Sequence, residues 1–329
     1  MTFSSLLLTF STLILGEGPL LIPCAETLLR HKHTIQAIVS TNDVIQDWAQ
    51  EQKISWVARQ DDLLSAVDGR PVDYLFGIAN VSVVPARILA LPRLGAINFH
   101  DGPLPRYAGL HATTWAILNQ ETSHGVTWHE MKETVDAGAI LKQSVFALAP
   151  DDTAFTLNRK CFKAGIDSFE ELVRALGDGT FRARPQDLSQ RTYFAKHARP
   201  AAQACIDWTL PAEHIAAFVR ALDFGPYPNP LEVPKVVGGG HVLLVPKVEV
   251  LPAVSASAPG TVLDVDGDAV RVATSTSEVV IPRLLTLAGE ALDIAAAGIT
   301  ANGRFETLPS DQATTLTRLG RGIVRYEEF

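Results

Sequence analysis

The chain has 329 residues, of which 47% are hydrophobic and 19% are charged, and its formal net charge is −8. This composition is typical of a globular protein with an ample core, and the length suggests about two domains at about 100–200 residues each. The negative charge disfavours non-specific binding to nucleic acid and to anionic membranes.

The cysteines and the N-terminal segment indicate the cellular compartment. Cys24, Cys161 and Cys205 are widely separated and form no Cys-x-x-Cys pair, so the sequence predicts neither a disulfide nor a zinc site. The start of the chain is apolar but lacks the basic residues of a signal peptide, and no stretch reaches the roughly 18 apolar residues of a membrane span. We therefore expect a cytoplasmic protein that contacts neither membrane nor nucleic acid.

The first part of the chain alternates strand and helix patterns. The predicted strands span residues 11–16, 34–40, 73–77 and 96–99, and the predicted helices span residues 20–33 and 42–52. Asn42 is the expected N-cap of the second helix. Such alternation is typical of an α/β fold with a Rossmann-like, mostly parallel sheet and helices on both faces. Ligands of these sheets bind beyond the carboxyl ends of the strands.

A polar cluster stands at the end of the fourth predicted strand. Asn98 and His100 point to the same side, because side chains alternate along a strand. A Pro- and Gly-rich loop follows, and Asp136 comes 38 residues after Asn98 in a Val-Asp-Ala-Gly turn. An amide donor, an imidazole and an orienting carboxylate suit acyl transfer to an amine. Asn-x-His alone would be better explained as a strand end with two satisfied polar residues, but together with the loop and the Asp136 turn it favours catalysis.

The second half of the chain changes in pattern. An amphipathic helix is predicted over residues 154–176, and a basic, proline-containing segment follows it. After a helix over residues 211–222, short runs separated by turns predict a small, OB-like β-barrel. The predicted strands of this barrel span residues 233–237, 241–250, 260–265, 269–274 and 278–282. The expected domains are residues 1–181 and 205–306, with a linker over residues 182–204 and a tail over residues 307–329 that resembles the start of a further domain.

These motifs resemble the folate-dependent formyltransferase family. Asn-x-His, the Leu-Pro-x-x-x-Gly loop from Leu104 and the Val-Asp-x-Gly-x-Ile-Leu turn from Val135 occur in the family's order and spacing. The Ile-Asp-Trp sequence at Trp208 and the predicted barrel resemble the C-terminal domain of methionyl-tRNA formyltransferase. The resemblance covers about residues 11–305. The chain departs from most relatives at Asp101-Gly102-Pro103, where they carry a Ser-Leu-Leu type loop.

The resemblance implies N-formyl transfer with 10-formyltetrahydrofolate as co-substrate and without a metal. Asn98 would donate a hydrogen bond to the oxyanion, and Asp136 would hold one tautomer of His100. The sequence leaves open whether His100 acts as the base or stabilises the oxyanion as a cation.

The resemblance also places the folate pterin near the loop after the third predicted strand and near the Asp136 turn. The implied cofactor-binding residues are Gly77, Ile78, Ala79, Asn80, Val83, Leu89, Glu133, Thr134 and Val135. Arg106 and His111 are expected to approach the acceptor or the folate tail, with solvated loop positions as the alternative. The segment that begins at His129 lacks the second histidine of a His-Glu-x-x-His zinc helix. We therefore expect His129 to be a wall residue of the site.

The sequence of the C-terminal region indicates which primary amine would accept the formyl group. Residues 205–304 contain six Lys/Arg and eleven Asp/Glu, which disfavours binding of tRNA phosphates. The segment 221–230, together with the tail, resembles formylation domains at the start of nonribosomal peptide synthetases. The main prediction is therefore the α-amine of an aminoacyl group on the phosphopantetheine arm of a carrier protein. The alternative is a small-molecule amine of the amino-sugar or hydroxy-ornithine type. Formylation of tRNA, hydrolysis of formyl-folate and a non-enzymatic docking module rank lower.

Overall fold

The structure is a computed structural model that describes residues 8–307. The described residues divide into two compact units. The first comprises residues 8–112, Ser123–Ala147 and Asn158–Phe194, and the second comprises Thr113–Thr122, Leu148–Leu157 and residues 195–307. The predicted tail lies outside the described residues except for Thr307, and the predicted domain boundaries stay a prediction.

The helices and strands up to Phe194 alternate as expected. The strands up to Phe194 are β1 (Ser11–Gly16), β2 (Thr34–Val39), β3 (Ser55–Val57), β4 (Val72–Ile78), β5 (Pro92–His100), β6 (Ala108–Gly109), β7 (Ser123–Glu130), β8 (Ile140–Ala147) and β9 (Tyr193–Phe194). The helices are α1 (Leu21–Arg30), α2 (Asp43–Glu51), α3 (Leu63–Val67), α4 (Ala86–Leu89), α5 (Ala112–Leu118) and α6 (Ala154–Gly177). The side chain of Asn42 caps α2 by accepting the backbone N–H groups of Val44 and Ile45, as predicted.

The central sheet of the first unit has seven strands in the order β3-β2-β1-β4-β5-β7-β8. The neighbours from β3 to β5 pair in parallel, whereas β5–β7 and β7–β8 pair antiparallel. Alternate residues of β1 pack into two different hydrophobic cores. Ile14 packs with residues of α1 and α6, while Leu13 and Leu15 pack with residues of α3 and α4. Both faces of the sheet are therefore covered, which confirms the predicted Rossmann-like class.

Over residues 195–307 the second unit consists of antiparallel strands and one α-helix. They are α7 (Ala212–Ala221), β10 (Lys235–Gly238), β11 (His241–Leu244), β12 (Glu249–Leu251), β13 (Val262–Asp266), β14 (Ala269–Ala273) and β15 (Glu278–Ile281). The pair β10-β11 and the sheet β12-β15-β14-β13 surround one apolar core that includes Trp208 and Phe305. Isolated bridges extend the pairing from β10, β11 and Thr261 to residues 285–306. This arrangement agrees with the predicted barrel.

The structure differs from the predicted elements at several points, which include short elements that were not predicted, such as β3 and α3 to α5. The single strand expected over residues 241–250 is two strands, β11 and β12, because Pro246 lacks the N–H that a continuous ladder requires. Two strands that no pattern predicted, β7 and β8, form the antiparallel edge next to β5. No helix in residues 8–307 combines the length and apolarity needed to cross a bilayer.

Candidate active site

Strand β5 carries Asn98 and His100 to the carboxyl edge of the parallel strands. Asn98 pairs with Gly77 of β4 on one side and with His129 of β7 on the other. His100 is buried, with 5% of its surface exposed, and Asn98 is half-buried. The motif therefore stands where ligands of parallel sheets bind.

A glycine in β4 makes room for the Asn98 carboxamide. A Cβ atom added at Gly77 would lie 2.5 Å from Oδ1 of Asn98 and 2.6 Å from Cε of Met131. Because such distances are shorter than van der Waals contact, any larger residue would displace the amide. The absence of a side chain at Gly77 therefore leaves the space that the Asn98 carboxamide occupies.

The hydrogen bonds of His100 assign its two ring nitrogens. Nε2 lies 2.7 Å from the carbonyl oxygen of Tyr107, and since a carbonyl only accepts, we assign the hydrogen to Nε2. Nδ1 lies 3.6 Å from Oδ2 of Asp136 and 3.9 Å from Oδ1 of Asp101. A proton taken up at Nδ1 would be stabilised by both carboxylates.

Asp136 is a buried carboxylate with two imidazole neighbours. Its Oδ2 accepts the backbone N–H of Gly109 at 2.8 Å, and its Oδ1 lies 3.3 Å from Nε2 of His129. Burial alone would raise the pKa of this carboxyl, but the charges of the protonated His100 and His129 rings, the hydrogen bond that protonated His129 donates and the N–H of Gly109 lower it to about 2. Asp136 is therefore ionised at neutral pH.

The turn that holds Asp136 is secured by a segment predicted to belong to the linker. Gln186 donates its amide to the carbonyls of Asp136, at 2.9 Å, and Gly138, at 2.6 Å. Arg191 donates to the carbonyl of Val135 at 2.8 Å. Turn carbonyls need donors, and the stretch 184–194 supplies them, so it packs with the first unit.

The loop between β5 and β6 is held by two threonines. Thr127 of β7 donates to the carbonyl of Gly102 at 2.7 Å and accepts the N–H of Leu104 at 3.2 Å. Thr192 accepts the N–H of Tyr107 at 2.8 Å, directly beside the β6–β9 pair. These contacts keep the Tyr107 carbonyl against His100.

Several non-glycine residues around the edge adopt left-handed backbone conformations. They are Ala79 (φ 53°), Tyr107 (φ 60°), His111 (φ 61°) and Asp136 (φ 55°). Such conformations are uncommon for residues with a side chain and concentrate at functional sites. Ala79 follows β4, Tyr107 ends the β5–β6 loop, His111 follows β6 and Asp136 lies in the β7–β8 turn.

The structure brings the three predicted catalytic residues together, and the implied folate residues lie in or next to β4, in α4 and in the β7–β8 turn. Gly77 and Ile78 end β4, Ala79 and Asn80 follow it, Val83 is 79% exposed, Leu89 ends α4, and Glu133, Thr134 and Val135 precede Asp136 on the exposed side of the turn. Arg106 is exposed and lies over the Tyr107 ring at 5.2 Å, and His111 is half-buried after β6. The binding roles of all these residues stay predictions.

Two residues that contact the triad were missed as site residues. His129, expected to be a wall residue, contacts Asn98 and Asp136, and Asp101 approaches His100. Recognising β7 as the antiparallel neighbour of β5 would have placed His129 opposite Asn98. Within residues 8–307 no cluster of three or more His, Cys, Asp or Glu side chains could hold a metal ion.

Comparison with known proteins identifies the family. The formyl transferase model matches residues 30–173, and the model of the formyl transferase C-terminal domain matches residues 200–298. The chain belongs to the formyl transferase family. The two matches together span more than half of the chain and confirm the family expected from the sequence.

Solved structures with the same fold are distant in sequence. The N-formyltransferase of Helicobacter canadensis, in complex with folinic acid and dTDP-3-aminofucose, has a TM-score of 0.68 at 16% identity and covers 83% of this chain and 99% of its own. The sugar 3N-formyl transferase WlaRD, in the presence of dTDP and 5-N-formyl-THF, has a TM-score of 0.66 at 17% identity over 84% of this chain and 98% of its own. HypX of Aquifex aeolicus has a TM-score of 0.60 at 18% identity over 83% of this chain, which corresponds to 45% of the HypX chain.

Proposed function

We propose that the protein is an N-formyltransferase that moves the formyl group of 10-formyltetrahydrofolate to a primary amine. The observation that carries this proposal is the convergence of Asn98, His100 and an ionised Asp136 at one edge of the sheet in a member of the formyl transferase family.

The donor side of the site has the character that a pterin requires. Val81 and Val83, in the loop after β4, are 72% and 79% exposed, and Val135 beside Asp136 is 42% exposed. Exposed apolar side chains close to a polar edge suit a flat, partly apolar ring system that also seeks backbone hydrogen bonds. Two of the structural neighbours were solved with folinic acid or 5-N-formyl-THF, which supports a folate donor.

The reaction begins with attack of the neutral amine on the formyl carbon. The carbonyl oxygen becomes an oxyanion, and Asn98 donates a side-chain N–H to it. One such donor is worth about 3–4 kcal/mol of transition-state stabilisation. The half-buried position of Asn98 excludes part of the water that would compete for this hydrogen bond.

His100 manages the proton of the attacking amine. Since Nε2 donates to the Tyr107 carbonyl, Nδ1 takes the proton, and the adjacent Asp136 carboxylate stabilises the imidazolium. The proton then passes to N10 of the folate as the C–N10 bond breaks, so that tetrahydrofolate leaves with an uncharged N10 and the formamide product forms. Asp136 remains ionised throughout, as its lowered pKa requires.

A small-molecule amine of the amino-sugar type is the acceptor favoured by the comparisons. Two neighbours that match nearly their whole length are described as an N-formyltransferase bound to an amino-sugar nucleotide and as a sugar N-formyl transferase. This acceptor class predicts that an amino-sugar nucleotide gains a formyl group when it is incubated with the protein and 10-formyltetrahydrofolate.

A carrier-bound aminoacyl group is the second candidate acceptor. It is supported by the Ala-Leu-Asp-Phe-Gly-Pro-Tyr-Pro-Asn-Pro segment over residues 221–230 and by the excess of acidic residues in 205–304, which disfavours tRNA. The second unit would then serve a protein partner.

Formyl transfer measured by mass spectrometry tests both proposals. The enzyme and 10-formyltetrahydrofolate are incubated with dTDP-linked amino sugars, hydroxy-ornithine, aminoacyl carrier proteins and aminoacyl-tRNA. A formyl mass gain on one acceptor class identifies that class. Formate release without any formylated amine would instead show a hydrolase and refute transfer.

A further inference from the structure

A second buried imidazole contacts two members of the triad. The ring of His129 is 2% exposed, and its Nε2 lies 3.3 Å from Nδ2 of Asn98 and 3.3 Å from Oδ1 of Asp136. Its Nδ1 lies 2.8 Å from the carbonyl oxygen of Glu130. Because a carbonyl only accepts, Nδ1 carries a hydrogen, and the state of Nε2 decides what His129 does at the site.

Nε2 of His129 has two neighbours with opposite requirements. The Asn98 amide nitrogen is a donor and needs a lone pair on Nε2. The Asp136 carboxylate is an acceptor and needs a hydrogen on Nε2. One nitrogen cannot satisfy both, so each proton state of the ring favours one partner.

We propose that His129 is a positioning residue that sets which end of the Asn98 carboxamide faces the reacting carbonyl. In the neutral ring, Nε2 accepts one N–H of Asn98 and leaves the second N–H for the oxyanion. In the protonated ring, Nε2–H donates to Asp136, and the carboxamide turns its oxygen toward the ring. The neutral ring is therefore the competent form. This inference rests on the proposed function.

The surroundings of His129 link its proton state to the orientation of the Asn98 carboxamide. Among the described residues, Asp136 from the β7–β8 turn is the charged group that contacts the ring, and His100 lies on the other oxygen of the same carboxylate. Glu130 contributes its carbonyl, while its side chain pairs with Lys132 at 3.0 Å. On the opposite side of Asn98, the carboxamide oxygen faces Gly77, where an added Cβ atom would lie 2.5 Å from it. The carboxamide thus lies between His129 and Gly77.

Two substitutions of His129 distinguish the effect of the Nε2 lone pair from the effect of the volume of the ring. His129→Leu keeps the volume and removes the acceptor, and we expect kcat to fall about 100-fold, at the low end of the loss of an oxyanion donor. His129→Gln can present an oxygen where Nε2 lies, and we expect kcat within about 10-fold of wild type on the same scale. Binding of folinic acid, a non-reacting analogue, should be unchanged in both variants. His33→Gln, which removes another buried imidazole remote from the triad, is the control and should keep wild-type kcat.

The pH profile reports a role that packing alone does not produce. The wild-type acid limb of log kcat should fall with the slope of two protonations, those of His100 and His129, and His129→Gln should fall with the slope of one. In ¹⁵N-histidine-labelled protein at the pH of highest activity, His129 should show hydrogen on Nδ1 and a lone pair on Nε2.

Several results would overturn the proposal. They are wild-type kcat in His129→Leu, equal loss in the Leu and Gln variants, an unchanged acid slope in His129→Gln, or an NMR spectrum with hydrogen on Nε2. Failure of the wild-type protein to formylate any amine would refute the proposed function instead, and the NMR spectrum would still decide the state of His129.

Discussion

The two units of the chain bury polar groups in different ways. In the first unit, His100, His129 and Asp136 converge on one edge of the sheet, and Asp136 sits there in a left-handed backbone conformation. In the second unit the core is apolar, and buried Lys235 is neutralised locally by Glu232, three residues away, at 2.9 Å. Polar groups that converge from distant parts of the chain are costly to bury and indicate chemistry, whereas locally paired ones serve the fold.

This contrast predicts that activity and stability respond to different sets of residues. Substitutions at the converging edge should reduce turnover in a protein that still folds and binds folate. Substitutions in the apolar core of the second unit should reduce stability and leave the chemistry of the folded molecule unchanged.

The largest effect is expected for the triad. Asn98→Ala or His100→Ala should lower kcat by about 10²–10⁴-fold, because each removes a group that acts in the transition state. Folinic acid binding, followed by fluorescence, should stay close to wild type. Weakened folate binding with normal turnover would contradict the assigned roles.

A core substitution in the second unit should give a large effect on stability alone. Phe305 is 1% exposed and stacks on Trp208 with ring centroids 5.6 Å apart, so Phe305→Ala should lower the free energy of unfolding by about 3–5 kcal/mol. Urea denaturation measures this loss. Val254→Ala, at a 74% exposed site, is the matched control. A fall in kcat of the folded Phe305→Ala protein comparable to that of the triad variants would break the contrast.

Adding a single methyl group should lower kcat at the edge that carries the triad but not elsewhere in the sheet. Gly77→Ala should push the Asn98 carboxamide out of place and lower kcat about 100-fold, since small misplacements of catalytic groups have effects of this size. Gly95→Ala is the control on the same strand as Asn98, because its added Cβ would meet no atom within 4 Å. Equal activity of the two variants would show that the position of Asn98 is not critical.

Asp136 should also make the free energy of unfolding depend on pH in the acid range. Its pKa of about 2 lies below the ordinary 3.8, so its ionised form stabilises the folded state above that ordinary value. This stability, about 2 kcal/mol for a shift of this size, is lost as pH falls through 3.8 toward 2. Asp136→Asn should lack that acid-dependent loss in urea titrations, while Asp266→Asn, in the exposed β13–β14 hairpin, should retain it. An unaltered acid dependence in Asp136→Asn would show that the carboxylate gains nothing from its imidazole neighbours.

The smallest effect is expected for surface charge in the second unit. Asp266→Lys with Asp268→Lys should leave KM and kcat for a small amine acceptor unchanged. For a carrier-bound acceptor the same change should alter KM and its dependence on salt. A changed kcat for the small amine would assign the hairpin a role in the chemistry.

Much of the first unit was predictable because local signals agree with the tertiary structure. The bounds of β1, the Asn42 cap of α2 and the apolar run of β5 follow from periodicity and capping, and Asn98, His100 and Asp136 follow from their motif. The same agreement holds for α6, whose apolar face packs in the sheet core.

The antiparallel edge was not predictable in this way. Strand β7 contains Gly125 and three buried polar residues, His124, Thr127 and His129, whose partners are the catalytic loop and the triad. These residues break the apolar alternation that marks a strand, because the site rather than the solvent satisfies them. The importance of His129 was hidden for the same reason.

The most direct test of the account is the mass of each acceptor after incubation with the wild-type protein and 10-formyltetrahydrofolate, with the His100→Ala variant run in parallel. We predict a formyl mass gain on a primary amine, accompanied by tetrahydrofolate, and about 10²–10⁴-fold less product with the variant. Equal product with both proteins, or formate as the sole product, would contradict the assignment of formyl transfer to this site.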